Sequence, residues 1–225
     1  MKAQAIEPTG NFGWIETELD KAYIDFLWMI LKEGKKKGDN HKGHLAGNIS
    51  NSFAINDKQD YFFENVLRHH IQGYIDEYGK HPFTPPTQPT KVIAKDGREV
   101  YVDKMNMNLT AFWANYQYKH EFNPFHRHGG VYSFVIWLKI PYHWEEQNKL
   151  PHLKGIKEID KKPGLFEFEY INILGHIKTF SYLLTPDYEG TMLFFPAALK
   201  HCVYPFYNTD EPRISISGNI ALVST

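Results

Sequence analysis

Apolar side chains recur at three-to-four spacing through Leu19, Tyr23, Phe26, Leu27, Ile30 and Leu31, which predicts a helix over residues 17–32 with Thr17 as its cap and Gly34 as its stop. The basic run Lys35 to Lys37, followed by Gly38, Asp39 and Asn40, reads as a solvated turn. A second amphipathic helix is predicted from Lys58 to Tyr78, capped by Asp57 and ended by Gly79, with Phe62, Leu67, Tyr74 and Ile75 inward. Both helices are expected to brace the outside of a sheet. The segment PFTPPTQPT (82–90) is too proline-rich for a helix and reads as a stiff connector.

Downstream the period changes to that of strands. KVIAK-DG-REVYV (91–102) predicts two strands about an Asp-Gly turn. Further strands are predicted at 109–117, 131–140, 165–174, 177–184, 191–197, 202–206 and 213–222. So many short strands, separated by turn residues such as Thr185-Pro186-Asp187, predict a mainly β sandwich or jelly roll with N-terminal bracing helices. PYHWEEQNKLPHLKGIKEIDKKPG (141–164) is polar and reads as an insertion at one rim, where β scaffolds usually meet substrate. A length of 225 residues suits one domain over 1–225, with 1–90 as helical support and connector and 91–225 as the β core.

Composition sharpens this picture in two ways. Aromatic residues (16 Phe, 14 Tyr, 5 Trp) favour sheets, and 12 His give a metal site somewhere to reside. Net charge is −1 with both signs mixed along the chain, so no field marks the surface for nucleic acid or an anionic membrane. The single Cys202 allows no internal disulfide and suits a reducing compartment. MKAQAIEPTG has no signal-like apolar run, and nothing downstream approaches a membrane span, so a cytoplasmic protein is expected.

His126 and His128 in NPFHRHGGVYSFVIW are two apart, a spacing that puts both imidazoles on one strand face. A third candidate, His201, follows the apolar strand of GTMLFFPAALKHCVYPF. Three ligands on one side of an octahedral ion would leave three positions open. An isolated histidine is ordinarily a surface or satisfied core residue, and His41, His44, His69, His70, His81, His120, His143, His152 and His176 are assigned to that class. Beyond His201 comes Arg213-x-Ser215, a guanidinium and a hydroxyl on one strand face, which together suit a carboxylate.

The ordered set NYQYKHEFNPFHRH, GTMLFFPAALKHCVYPF and EPRISISGN resembles the 2-oxoglutarate and Fe(II)-dependent oxygenase superfamily. In particular it resembles prolyl-hydroxylase-like oxygenases common in marine bacteria and their phages, with a Phe-Pro strand, a histidine and then Arg-x-Ser. The motifs span roughly residues 109–222, and GHLAGNISNSFAI (43–55) also resembles the N-terminal part of such proteins. The resemblance implies a double-stranded β-helix of cupin type with Fe(II) near its mouth. It also implies 2-oxoglutarate and O2 as cosubstrates, and oxidative decarboxylation to succinate and CO2 coupled to hydroxylation of a protein side chain or small metabolite. Carried over by position, His126 and His128 fill the H-x-D/E ligand pair and His201 the distal ligand. Arg213 and Ser215 anchor the far carboxylate, and Asn115 and Tyr116 stand where polar contacts to the cosubstrate are often found. Phe112, Trp113, Phe134 and Trp137 would exclude water or pack the core.

The sequence departs from that pattern at His128, where the family usually carries a carboxylate. Three neutral imidazoles leave the ion its full charge and favour an anionic cosubstrate. In a second register His128-Gly129-Gly130 would be an H-x-G pair, as in related halogenases, with chloride in the gap. Two competing functions remain on the residues alone: a three-histidine cupin-type dioxygenase that needs no 2-oxoglutarate, and a non-catalytic jelly-roll binding protein.

Overall fold

The computed structural model describes residues 2–6, 12–38, 43, 46–79, 90–93, 97–102 and 105–224. The proline-rich connector (its residues 82–89), His41, His44 and His81 lie outside the described residues. The strands are β1 (Lys2–Ile6), β2 (Trp14–Glu18), β3 (Asn51–Ala54), β4 (Thr90–Ile93), β5 (Glu99–Val102), β6 (Met105–Gln117), β7 (Asn123–His126), β8 (Tyr132–Lys139), β9 (Phe166–Ile171), β10 (Ile177–Tyr182), β11 (Thr191–Pro196), β12 (Lys200–Val203) and β13 (Arg213–Ser224). The helices are α1 (Lys21–Lys37), α2 (Arg68–Tyr78) and the short α3 (Trp144–Gln147). One sheet runs β1-β2-β11-β8-β13-β6-β3, a second runs β10-β9-β12-β7, and β4 and β5 form a separate hairpin. The fold is mainly β, and its two antiparallel sheets make a jelly roll.

Alternation along the large sheet explains how the two layers divide the side chains. In β11, Met192 and Phe194 pack toward the helices while Leu193 and Phe195 pack between the sheets; in β8, Phe134 and Ile136 face the helices while Val135 and Trp137 face inward. These strands are buried on both faces, so they read as continuous apolar runs. Each fully buried large side chain contributes about 1.5–3 kcal/mol, which makes β8 and β11 the spine of the sheet. In β13 the isoleucines Ile214, Ile216 and Ile220 take the helical side. The inward positions of the same strand are therefore Arg213, Ser215 and Ser217, polar residues committed to the space between the sheets.

The N-terminal third differs from its sequence reading. Thr17 caps no helix: it lies in β2, fully buried, with its hydroxyl 2.8 Å from His70 Nε2. Long-range pairing of β2 with β1 and β11 overrides the local capping preference, and the helix begins only at Lys21. Gly34 does not stop α1, which continues to Lys37 and closes on Gly38 in the left-handed conformation. A Cβ at Gly34 would lie 2.7 Å from Ile55 and 2.9 Å from the Ala54 carbonyl, so the glycine serves close packing of helix on strand. Asp57 makes no capping bond to the 3-10 turn that it precedes; its carboxylate accepts instead from the N–H groups of Phe62 and Phe63, at 2.8 and 2.7 Å, in the helical run beyond that turn. The second helical stretch is a 3-10 turn, a π turn over Phe63–Leu67 and then α2. His70, assigned to the surface or satisfied-core class, is indeed a satisfied core residue, its Nδ1 2.8 Å from the Val66 carbonyl. No helix among the described residues is long and apolar enough to cross a membrane.

Candidate metal centre

β7 and β12 are neighbours in the small sheet, and their register sets His201 directly opposite His126. His128 lies two residues past the end of β7, where its backbone N–H donates to the Ala197 carbonyl at 2.9 Å. One ligand nitrogen from each of the three imidazoles lies within 4.8 Å of the others, and Nε2 of His128 is 3.2 Å from Nε2 of His201. Two nitrogens bound to adjacent positions of one ion sit at about that separation. The outer nitrogens are held as well: Nδ1–H of His126 donates to the Pro124 carbonyl at 2.7 Å, and Nδ1–H of His201 to the Leu199 carbonyl at 3.0 Å. A carbonyl only accepts, so both rings carry their proton on Nδ1 and present a bare Nε2 to the cleft. The donor chemistry fits a divalent ion. Phe166 stacks on His201 at 5.7 Å, Phe195 meets its ring edge-on at 5.0 Å, and Trp113 flanks His128 at 5.6 Å.

Further along the same cleft lies Arg213, only 2% exposed. Its guanidinium donates to the Tyr142 hydroxyl and to Gln117 Oε1. Among the described residues it has no carboxylate partner. A buried cation with only neutral partners carries a desolvation cost that an arriving anion offsets. Ser215 lines the cleft beside it and pairs in register with Asn115 of β6.

Residues 111–219 match the family described as "Putative 2OG-Fe(II) oxygenase". The matched stretch is just under half of the chain and holds the three histidines, Arg213 and Ser215, and over it the chain is similar to that family. Its architecture is similar to that of a prolyl-4-hydroxylase from Pseudomonas putida, at 12% identity over 94% of each chain with a TM-score of 0.50, a likeness of fold alone. A 2OG-Fe(II) oxygenase family oxidoreductase from Burkholderia pseudomallei aligns over 97% of this chain and 84% of its own, at 10% identity and a TM-score of 0.47. No curated protein matches the chain.

Within the matched stretch, six of the seven residues singled out from sequence line one cleft: His126, His128, His201, Arg213, Ser215 and Asn115. The seventh, Tyr116, does not. One step along β6 from Asn115 turns its ring to the helical face, 5.9 Å from Phe53 and 4.6 Å from Lys35 Nζ, so a contact with a cosubstrate between the sheets is ruled out by the pleat. Phe112 is likewise on the helical side, stacked on Phe62. The sequence reading did not single out Asn123, which lines the cleft, or Gln117 and Tyr142, which hold Arg213. Gln117 shares the Asn115 face by simple alternation and was legible in principle. Tyr142 comes from the polar segment after β8, where no periodic signal exists, and Asn123 precedes the first histidine.

Burial lowers the imidazole pKa values of His70 and His126 below the ordinary 6.5, and that of His201 well below it, with His126 and His128 adding to the last. The unfolded chain therefore takes up protons near pH 6.5 that the folded chain refuses, so these groups contribute stability above that pH which is lost as pH falls through it. The Tm of metal-free protein is expected to drop between about pH 7.5 and about pH 5.5, with a shallower drop in His201→Gln. A Tm unchanged or rising over that acidification would contradict neutral buried imidazoles.

Proposed function

We propose that the protein is a non-haem Fe(II) oxygenase that couples oxidative decarboxylation of 2-oxoglutarate to hydroxylation of a primary substrate, the whole chain forming one oxygenase unit. His126, His128 and His201 hold the iron, Arg213 and Ser215 hold the far carboxylate of 2-oxoglutarate, and Asn115 contacts the cosubstrate between them. The observation that carries this reading is a buried guanidinium that has only neutral partners among the described residues, in the cleft where three imidazoles converge. Bound iron would supply the activation of O2, the chemistry no side chain in the cleft can perform. The chain supplies neutral nitrogen donors, a cationic anchor and an aromatic wall that excludes water.

A three-histidine dioxygenase without 2-oxoglutarate would leave Arg213 buried with nothing to neutralise it, which disfavours that alternative. The halogenase register is disfavoured because His126 converges with His128 and His201, leaving no ligand gap of the H-x-G kind. The single-unit reading is supported by the packing of α1 and α2 on the outer face of the large sheet, to which β2 and β3 also belong. The test is stoichiometric succinate formation from 2-oxoglutarate with Fe(II), ascorbate and O2. Uncoupled turnover that requires iron is the expected result, and iron binding without any succinate would shift the assignment to the cosubstrate-independent class.

A further inference from the structure

Asn123 opens β7 three residues before His126 and is buried. Its side-chain Nδ2 lies 3.2 Å from His126 Nε2. Because Nδ1 of His126 carries the ring proton, Nε2 is an acceptor, and the Asn123 N–H donates to the same lone pair that a metal would take. Exchanging the amide oxygen and nitrogen would set two lone pairs against each other, which fixes the orientation. The other end of the amide, Oδ1, is buried without a hydrogen-bond partner. The backbone at Gly47 presses on that end: a Cβ there would lie 2.6 Å from Oδ1, 2.5 Å from Asn123 Cα and 2.3 Å from the Phe122 carbonyl. Asn48 bridges to Phe122 beside it, so this crossing segment clamps the amide with its N–H edge toward the triad.

Asn123 pairs in register with Val203, and the carbonyl of the next residue, Tyr204, receives an N–H from Gln117, whose Oε1 holds Arg213. The amide therefore stands on the Arg213 side of the histidines, within the cleft an anion would enter.

Resting on the metal reading above, we propose that Asn123 is a positioning residue that couples metal binding to cosubstrate binding. In the empty site its N–H occupies the His126 lone pair. When a metal claims that lone pair the donor is left buried and unsatisfied, and it passes to an oxygen of the carboxylate-bearing molecule that Arg213 draws into the cleft. Asn123 thus opposes the metal alone and favours the metal together with 2-oxoglutarate, a coupling that is reciprocal by linkage.

Mn(II), which supports no turnover, and 2-oxoglutarate are the probes, with both dissociation constants read by calorimetry. In Asn123→Ala, Mn(II) affinity is expected to hold or tighten by a few-fold, while 2-oxoglutarate affinity for the Mn(II)-loaded protein falls by about 5- to 20-fold. The isosteric Asn123→Asp separates position from packing: its carboxylate is expected to tighten Mn(II) and weaken 2-oxoglutarate, opposite signs that a merely structural residue would not give. Equal 2-oxoglutarate constants in wild type and Asn123→Ala would overturn the proposal, as would loss of Mn(II) affinity in either variant as large as in His126→Ala. Wild-type protein that binds neither probe would instead remove the metal reading itself.

Discussion

His201→Ala is expected to abolish metal binding and with it all decarboxylation of 2-oxoglutarate. His201 is the innermost of the three donors, 5% exposed, and its Nε2 is the one placed 3.2 Å from that of His128. Two remaining imidazoles cannot hold Fe(II) against water and buffer, so affinity should fall well beyond the roughly 10–100-fold typical of losing an outer-shell partner. The ring is also enclosed by Phe166, Phe168 and Phe195, and its removal leaves a cavity that lowers Tm by itself. Metal affinity measured below the variant's Tm separates the two effects, and His201→Gln, which fills most of the volume, should lose metal with less loss of stability. His128→Asp is the contrasting case: it restores the carboxylate usual at this position and should retain metal. Iron binding in His201→Ala equal to wild type would remove this residue from the centre.

Arg213→Ala is expected to weaken 2-oxoglutarate binding by about 30-fold or more while metal affinity barely changes, since truncating one member of a buried charge pair typically costs about 2–5 kcal/mol. Arg213→Lys should recover only part of the loss, because a point charge cannot reproduce a planar fork already oriented by Tyr142 and Gln117. The structure adds a second, opposite expectation. In the ligand-free protein this cation is buried against neutral partners, so Arg213→Met should leave ligand-free Tm unchanged or raise it, even as 2-oxoglutarate affinity is lost. Dissociation constants from the metal-to-ligand charge-transfer band under anaerobic conditions, together with thermal melts, measure both. Equal constants in wild type and Arg213→Ala would sink the clamp assignment.

Much of the site was legible because β structure converts sequence spacing into facing. Arg213-x-Ser215 shares one face of β13 by the two-residue period, and the alternating Ile214 and Ile216 mark the other face as the one against the helices. The same rule sends Tyr116 away from its neighbour Asn115, so that misassignment was avoidable from the sequence. His126 and His128 converge for a different reason than strand spacing alone. Only the first is in a strand, and the second is brought inward by a backbone bond to Ala197 after β7 has ended.

The N-terminal third was less legible. WIETE could open a helix or run as a strand on local preference, and its pairing with β1 and β11 decided the matter. Gly34 looked like a helix stop because a glycine that permits close approach and one that permits left-handed backbone are indistinguishable without the neighbouring strand.

The sequence by itself determined which residue types could do the chemistry and, through periodicity, which of them share a face. Tertiary structure alone decided which faces meet. The pairing of β7 with β12 sets His126 opposite His201 across 75 positions of chain, and the segment after β8 returns Tyr142 to a guanidinium 71 positions away. The burial that keeps the imidazoles neutral and sets Arg213 against the neutral Tyr142 and Gln117 is also tertiary, because solvation of a group depends on everything packed around it. Asn123 shows the limit most clearly: three residues from a metal candidate in sequence, it gains a role only because Gly47 is packed against its far side and His126 folds back onto its near side.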